Sequence, residues 1–441
     1  MSIQVQATRR TASGAVIVSV VAGAVAALVL ALVVFAGGTE ATITGALLLG
    51  FGFGWALMAF LSVRRTDEPQ RWAVVPAITM SATGALLVVL TPGAAALTAL
   101  SWVWPPLLLV LASWMHLQAR RSATSKARWV LAPVIAVLAL ASVGAIYGNL
   151  SLIREADHAA PGQLHDVGGH RLHLDCRGHG SPTVVMFNGL GEISASWGRI
   201  AGPVAETARV CAYDRAGQGW SEDAAAPLDG IESAEDLRTL LDEAGEQGPY
   251  VLVGHSTGGT YTMTYAARYP EQVAGMVLLD SSSPEQFTRM PAYPGQYAAM
   301  RRGVALLPTL RRVGLGALVP TTSDLPAPAA EQVAALTSTV QAARNQRDEL
   351  SVIRDVFTQA QALTTLDARP LAVVTASENA GTEGWVAAQD ELTTLSTNYI
   401  HRTVDSSHAG LLEDAGPAAE AVQAITEVIT SVQTGTPLSR S

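Results

Sequence analysis

The stretch Tyr250-Val-Leu-Val-Gly-His-Ser-Thr-Gly-Gly259 decides the fold predicted for the C-terminal part of this chain. Its apolar start, Tyr250–Val253, predicts a strand, and residues 257–269 predict a helix. Between them lies the G-x-S-x-G pattern of a nucleophile elbow, a sharp turn that exposes a serine hydroxyl, with flanking glycines that avoid clashes. Amides at the start of the helix then face negative charge near the serine. We interpret Ser256 as a nucleophile.

A serine nucleophile needs a base, and two histidines follow Ser256 in the chain. His401 falls inside a predicted strand, where its side chain packs or faces solvent. His408 lies in the loop just after that strand, at the carboxyl edge of the predicted sheet, from which a base reaches the serine. We therefore predict that His408 is the base.

The carboxylate that orients this base has two candidates. Asp280 ends the strand that follows the nucleophile helix, one strand away from the serine. Glu378 follows a later strand, and the next residue, Asn379, carries no charge. A carboxylate at either place could hold the second ring nitrogen of His408 and stabilise the imidazolium. We favour Asp280 and keep Glu378 as the alternative.

Two backbone amides are predicted to bind the oxyanion of a tetrahedral intermediate. One belongs to Thr257, the residue after the nucleophile. The other belongs to Leu190, in the loop Asn188-Gly-Leu-Gly191 that follows a predicted strand. Glycines in this loop let its backbone come close to a substrate.

Strands and helices alternate after residue 160, which indicates an α/β fold with a mostly parallel sheet. Residues 284–368 break the alternation with helical patches and no strand pattern, so we predict a helical cap there, inside a domain spanning residues 160–435. The predicted strands are Arg171–Cys176, Thr183–Phe187, Val210–Tyr213, Tyr250–Val253, Gly275–Asp280, Pro370–Thr375 and Asn398–Val404.

Together, five short stretches resemble the α/β-hydrolase fold family: Asn188-Gly189, Tyr213-Asp-Arg-Ala-Gly-Gln-Gly-Trp-Ser221, Gly254–Gly259, Val277–Asp280 and Ser407-His408. The resemblance covers about residues 165–432 and implies a mostly parallel sheet of about eight strands with a helical cap. It also implies that Asp280 matches the position of the acid in one subgroup of haloalkane dehalogenases. Those enzymes use an aspartate nucleophile, so Ser256 points instead to cleavage of esters, thioesters or amides.

Five apolar stretches precede this domain, and each has about the 20 residues that a helix needs to cross the hydrocarbon core of a membrane. They predict an all-α transmembrane region over residues 1–150 and a multi-pass location in the cell membrane. The stretches are 14–36, 41–62, 73–91, 95–115 and 129–148.

The basic residues predict the orientation of these spans. All nine Lys and Arg residues before residue 153 lie before the first stretch, between the second and third, or between the fourth and fifth. The positive-inside bias then predicts a cytoplasmic N-terminus, and five spans put the hydrolase domain outside the cytoplasm. Four spans would leave it inside. A signal peptide would explain the first stretch but not the other four.

Charge and cysteine content narrow the functional classes. Of the 37 acidic residues, 34 follow residue 152, against 19 of the 28 basic ones, and such an acidic domain argues against nucleic acid as a partner. No ligand spacing indicates a metal site, and no cofactor is expected. In the resembled fold, Cys176 and Cys211 would lie on neighbouring strands. They form either a disulfide, in an oxidising compartment, or two buried thiols.

These features predict a membrane-anchored serine hydrolase that forms an acyl-enzyme on Ser256 with a small acyl substrate, for which a lipid-like ester is one candidate. A small-peptide aminopeptidase of the same fold is the second hypothesis. A membrane receptor or scaffold that has lost activity is the third. The oligomeric state is left open.

Overall fold

The computed structural model describes residues 12–123, 125–155, 160–315 and 323–439. The chain divides into two compact units. The helical unit comprises Met1–Asp157 and Arg301–Val319, and the sheet unit comprises His158–Met300 and Pro320–Ser441.

Five helices of the helical unit are long and apolar enough to cross a membrane, by length and composition. They lie where the apolar stretches predict, but α4 and α5 continue beyond those stretches into charged ends. The backbone hydrogen bonds of a helix form with polar side chains as well as with apolar ones. The apolar stretches therefore mark only the part of each helix that suits the hydrocarbon core, and the helix itself can be longer. The helices are α1 (Ser13–Val29, continued by a π-helical segment Leu30–Val34), α2 (Glu40–Arg65), α3 (Val74–Leu90), α4 (Ala94–Ser122) and α5 (Ser125–Glu155).

Glycines let α1 and α2 approach closely. A Cβ atom on Gly50 would lie 2.2 Å from the Ala27 nitrogen, and one on Gly54 would lie 2.9 Å from the Gly23 Cα atom. Gly50 and Gly54 are four residues apart and therefore share one face of α2, the small-residue spacing typical of membrane helix pairs.

The described residues of the sheet unit form one sheet of eight strands in the order β1-β2-β4-β3-β5-β6-β7-β8. Strands β1 and β2 pair antiparallel, as do β2 and β4, and the other pairs are parallel. This confirms the predicted α/β class and the mostly parallel sheet. The strands are β1 (Gln163–Asp166), β2 (Arg171–Arg177), β3 (Thr183–Phe187), β4 (Arg209–Tyr213), β5 (Tyr250–His255), β6 (Val273–Leu279), β7 (Leu371–Ala376) and β8 (Tyr399–Val404).

Helices alternate with the strands after residue 160, and further helices make up the insertion between β6 and β7. Within that insertion, the segment Arg301–Val319 belongs to the helical unit. The helices are α6 (Ala201–Ala205), α7 (Gly230–Glu243), α8 (Gly258–Arg268), α9 (Gln286–Arg289), α10 (Tyr293–Val304), α11 (Leu307–Arg312), α12 (Ala329–Thr337), α13 (Val340–Ala360), α14 (Trp385–Leu392), α15 (Gly410–Glu413) and α16 (Ala415–Thr434).

The core of the sheet unit follows the period-2 alternation of its strands. Val251 and Val253 of β5 share one buried cluster with Ile425 and Val428 of α16. The alternate residues of β5 point to the other face and are buried as well. Burial on both faces explains why the central strands are continuously apolar and therefore readable from sequence.

Part of the predicted cap lies in the helical unit. Ala305 is fully buried in a cluster with Ile43 and Ala46 of α2, and the Thr309 and Thr44 hydroxyls lie 2.8 Å apart. Arg312 forms an ion pair with Glu40 at the start of α2. The predicted cap at 284–368 is therefore shared between the two units; its residues 316–322 lie outside the described part of the chain.

Cys176 and Cys211 face each other across the antiparallel pair β2–β4 and form a disulfide. Of the two alternatives that the sequence left open, the structure has the disulfide. Together with Glu246, these cysteines make the one compact group of potential metal-ligand side chains among the described residues. The disulfide occupies both thiols, so they are not available as thiolate ligands.

We expect the denatured protein to take up no maleimide-PEG in the absence of reductant and two equivalents after reduction, as measured by gel shift. We expect the paired variant Cys176→Ser, Cys211→Ser to be about 2–4 kcal/mol less stable, because the bond closes a long loop in the unfolded chain. Reaction of both thiols without reductant would contradict the disulfide.

Candidate active site

Ser256 sits on the sharp turn between β5 and α8. Its φ is +55°, a left-handed value that is strained for a residue with a side chain. Neighbouring backbone holds the turn: the Ser256 amide donates to the Leu279 oxygen (3.2 Å), and the Ser282 amide donates to the Ser256 oxygen (2.9 Å). Ser256 is partly exposed while both of its neighbours are buried. The turn thus presents one hydroxyl to solvent.

The motif glycines permit this turn by close packing. A Cβ atom on Gly258 would lie 2.2 Å from the oxygen of Phe187, at the end of β3. A Cβ atom on Gly254 would lie 2.6 Å from the Gly259 Cα atom. Any side chain at either position would push the turn away from the sheet.

His408 and Asp280 are in direct contact. The His408 Nδ1 atom lies 2.6 Å from Asp280 Oδ2. Asp280 is fully buried, and its two oxygens also accept hydrogen bonds from the Ala376 amide (3.0 Å) and the Asn379 side-chain amide (3.1 Å). Three donors therefore fix this carboxylate, and because it accepts Nδ1–H, the Nε2 atom of His408 is left as a proton acceptor.

Glu378 contacts the same loop in a different way. Its Oε2 atom accepts a hydrogen bond from the backbone amide of His408 at 2.6 Å, and its own amide donates to the Ser406 oxygen at 3.1 Å. Glu378 thus holds the backbone of His408, while Asp280 holds its ring. The contacts favour Asp280 over Glu378 as the orienting acid.

The loop predicted to bind the oxyanion packs directly against Ser256. A Cβ atom on Gly189 would lie 2.8 Å from Ser256 Cβ. The Gly189 amide donates to Glu192 Oε2 at 2.5 Å. Among the described residues, the amides of Leu190 and Thr257 donate to no protein acceptor. These two predicted donors therefore remain available to a substrate.

Asn188 anchors this loop from below. It is fully buried, its side-chain amide donates to the Tyr213 oxygen at 2.9 Å, and its side-chain oxygen accepts from the Trp197 indole at 2.8 Å. Arg215 donates to the Asn188 backbone oxygen at 2.7 Å. The loop is therefore fixed to the end of β4 by buried polar groups, each with a partner.

Arg215 also joins the insertion to the sheet. Its guanidinium contacts Glu349 of α13 at 2.8 Å and lies over the Tyr261 ring, 4.1 Å from the centroid. Burial raises the pKa of Glu349, although the charge of Arg215 acts in the opposite direction. This buried ion pair fixes α13 over the β4–α7 segment.

Sequence reasoning missed one pair at the site, Glu192 and His255. The two side chains lie 2.5 Å apart, and the rings of His255 and His408 lie 4.6 Å apart. The sequence does place Glu192 directly after the glycine-containing loop 188–191 and His255 inside the G-x-S-x-G pattern. Because the two residues are 63 positions apart, no local pattern indicates that their side chains meet.

Comparisons with known proteins identify the fold. A sequence model described as alpha/beta hydrolase fold matches residues 182–315. The Cif epoxide hydrolase from Acinetobacter nosocomialis aligns with a TM-score of 0.52 at 16% identity, over 65% of this chain and 96% of that enzyme. With the eight-stranded sheet, these matches show that the sheet unit has the α/β-hydrolase fold.

Curated relatives match only in part. Lipase LipV from Mycobacterium tuberculosis is 41% identical over 110 residues, which is 25% of this chain and 41% of the lipase. A Hormonema carpetanum protein described as "Probable transporter efuK" is 32% identical over 151 residues, which is 32% of this chain and 22% of that protein. The Bacillus subtilis protein YbdG is matched over 50% of its length. The chain thus spans between about a fifth and a half of these relatives.

We expect Asp280→Asn to lower kcat for ester hydrolysis about 10³–10⁴-fold, because the ring of His408 would lose the acceptor that sets its tautomer. Glu378→Gln keeps an acceptor for the His408 amide and is expected to lower kcat less than about tenfold. Steady-state kinetics of the two purified variants measure both effects. A large loss in Glu378→Gln with near-normal kcat in Asp280→Asn would reverse the assignment.

Proposed function

We propose that this chain, whose sheet unit has the α/β-hydrolase fold, is a membrane-anchored serine hydrolase that cleaves esters through an acyl-enzyme on Ser256. The observation that carries the proposal is the 2.6 Å contact between His408 and the buried Asp280. The backbone of His408 is hydrogen-bonded to His255, the residue before a serine on a strained and partly exposed turn. A buried carboxylate, a histidine and an exposed serine are the groups that acyl transfer requires.

In the first step, Ser256 Oγ attacks the carbonyl carbon of the substrate and its proton passes to His408 Nε2. The Asp280 carboxylate, already bonded to Nδ1–H, stabilises the imidazolium that forms. The carbonyl oxygen becomes an oxyanion, for which the amides of Leu190 and Thr257 are the proposed donors. Collapse of this intermediate transfers the proton from His408 to the leaving alcohol and leaves the acyl group on Ser256.

In the second step, water replaces the alcohol and attacks the acyl-enzyme. His408 Nε2 takes a proton from the water and then returns a proton to Ser256 Oγ as the acid leaves. Both steps use the same base and the same oxyanion donors, so a single arrangement serves the whole cycle.

Two features support a location of the hydrolase domain outside the cytoplasm. The Cys176–Cys211 disulfide fits an oxidising compartment. Arg64 and Arg65 lie in the last turn of α2, the end that the positive-inside bias assigns to the cytoplasm. With five spans, the chain that follows the last one is then on the opposite side of the membrane.

We expect Ser256→Ala to abolish both hydrolysis of short p-nitrophenyl esters and labelling by a fluorophosphonate probe, because no other side chain of the site supplies the acyl acceptor. Labelling of detergent-solubilised wild type, followed by peptide mapping, identifies the modified residue. Absence of labelling in the wild type would support the inactive receptor or scaffold instead, and efficient cleavage of small peptides but not esters would support the aminopeptidase hypothesis.

We expect a membrane-impermeant fluorophosphonate to label Ser256 on intact cells or spheroplasts as efficiently as after permeabilisation. The control is a cytoplasmic serine hydrolase of the same cells, which should react only after permeabilisation. Labelling of Ser256 only in permeabilised cells would place the domain inside, as four spans would.

A further inference from the structure

His255 is completely buried next to the nucleophile, and both of its ring nitrogens face hydrogen-bond acceptors. Nδ1 lies 2.5 Å from Glu192 Oε1, and Nε2 lies 3.0 Å from the backbone oxygen of His408. A carbonyl oxygen only accepts, so Nε2 must carry a proton. The second proton is then shared between Nδ1 and the Glu192 carboxylate.

The charges on this pair agree with the geometry. Burial opposes the charged form of His255, yet the Glu192 carboxylate and the His408 oxygen together raise its pKa. Burial also opposes ionisation of Glu192, yet His255 and the Gly189 amide lower its pKa. Both shifts act in favour of the charged forms, in which both ring N–H groups of His255 donate.

The same two side chains reach the loops on either side of Ser256. The second oxygen of Glu192 accepts from the Gly189 amide at 2.5 Å, in the loop that offers the Leu190 amide. His255 Nε2–H donates to the backbone of His408, the base. One continuous path thus runs from the oxyanion loop through Glu192 and His255 to the loop of the base.

We propose that Glu192 and His255 are positioning residues, which fix the oxyanion loop and the base loop relative to each other around Ser256. This role rests on the serine hydrolase function proposed above. A misplacement of catalytic groups by about 1 Å costs on the order of 10²-fold in rate. Glu192 and His255 each add one hydrogen bond to one of these loops and are hydrogen-bonded to each other. The engagement of the Gly189 amide by Glu192 also leaves the next amide, that of Leu190, to face the substrate.

Two variants of Glu192 separate a positioning role from simple packing. Glu192→Ala removes both hydrogen bonds, so we expect kcat to fall about 10–100-fold with KM changed less than about threefold. Glu192→Gln can still accept from Gly189 and donate to Nδ1 of a neutral His255, whose Nε2–H still reaches His408. It is expected to recover most of the lost kcat.

The kinetics are measured on full-length protein in detergent, with active sites titrated by fluorophosphonate so that kcat refers to folded enzyme. Asp236→Ala is the matched control, because it breaks another half-buried histidine–carboxylate pair, His170–Asp236 at 2.8 Å, away from the site. This control should keep wild-type kcat and KM.

A trifluoromethyl ketone, which forms a hemiketal oxyanion on the serine, should bind Glu192→Ala more weakly in parallel with the loss of kcat. Wild-type kcat in titrated Glu192→Ala, or an equal loss in Glu192→Ala and Glu192→Gln, would overturn the positioning role alone. Failure of wild-type Ser256 to label would overturn the hydrolase function, and this role with it.

Discussion

The left-handed turn at Ser256 is the constraint on which the rest of the sheet unit depends. A non-glycine residue at such a φ costs about 1–3 kcal/mol and persists only where its surroundings impose it. Those surroundings are the ends of three strands: β5 leads into the turn, the Leu279 oxygen of β6 accepts its amide, and Phe187 of β3 leaves room only for glycine at position 258. The serine is therefore exposed only when these three strands are in register.

Around this turn, three pairs of oppositely charged or titratable side chains lie in contact. His408 has Asp280, His255 has Glu192, and Arg215 has Glu349. Each pair joins an element of the central sheet to a segment distant in sequence, so the electrostatics that would support catalysis also hold the loops together. Unpaired, any of these buried charges would be strongly destabilising.

The parts of the molecule that could be predicted from the sequence are those whose residues form a recognisable pattern within one short segment. The elbow, the seven longer strands and the five apolar helices each carry their own periodicity or motif. Strand β1 was not predicted, because it is a short, mostly exposed edge strand with no apolar alternation.

The choice between Asp280 and Glu378 stayed open in the sequence, because both residues follow strands at the correct edge of the sheet. The structure separates them by their contacts: Asp280 reaches the ring of His408, and Glu378 reaches its backbone amide. The Glu192–His255 contact and the packing of Ala305 against α2 depend on pairs far apart in the chain, which leave no periodic signal.

The packing of residues 301–315 within the helical unit has a consequence for how the two units could be separated. A chain cut before residue 160 would keep this segment but lose α1 and α2, against which Ala305 and Leu306 pack. It would expose apolar side chains to water and leave Arg312 without Glu40. Proteolysis before residue 160 would not release the sheet unit freely either, because residues 301–315 would still pack against the helices of the other unit. The helical unit is thus a packing partner of residues 301–315, and a form of the sheet unit made without α1 and α2 would need that segment redesigned.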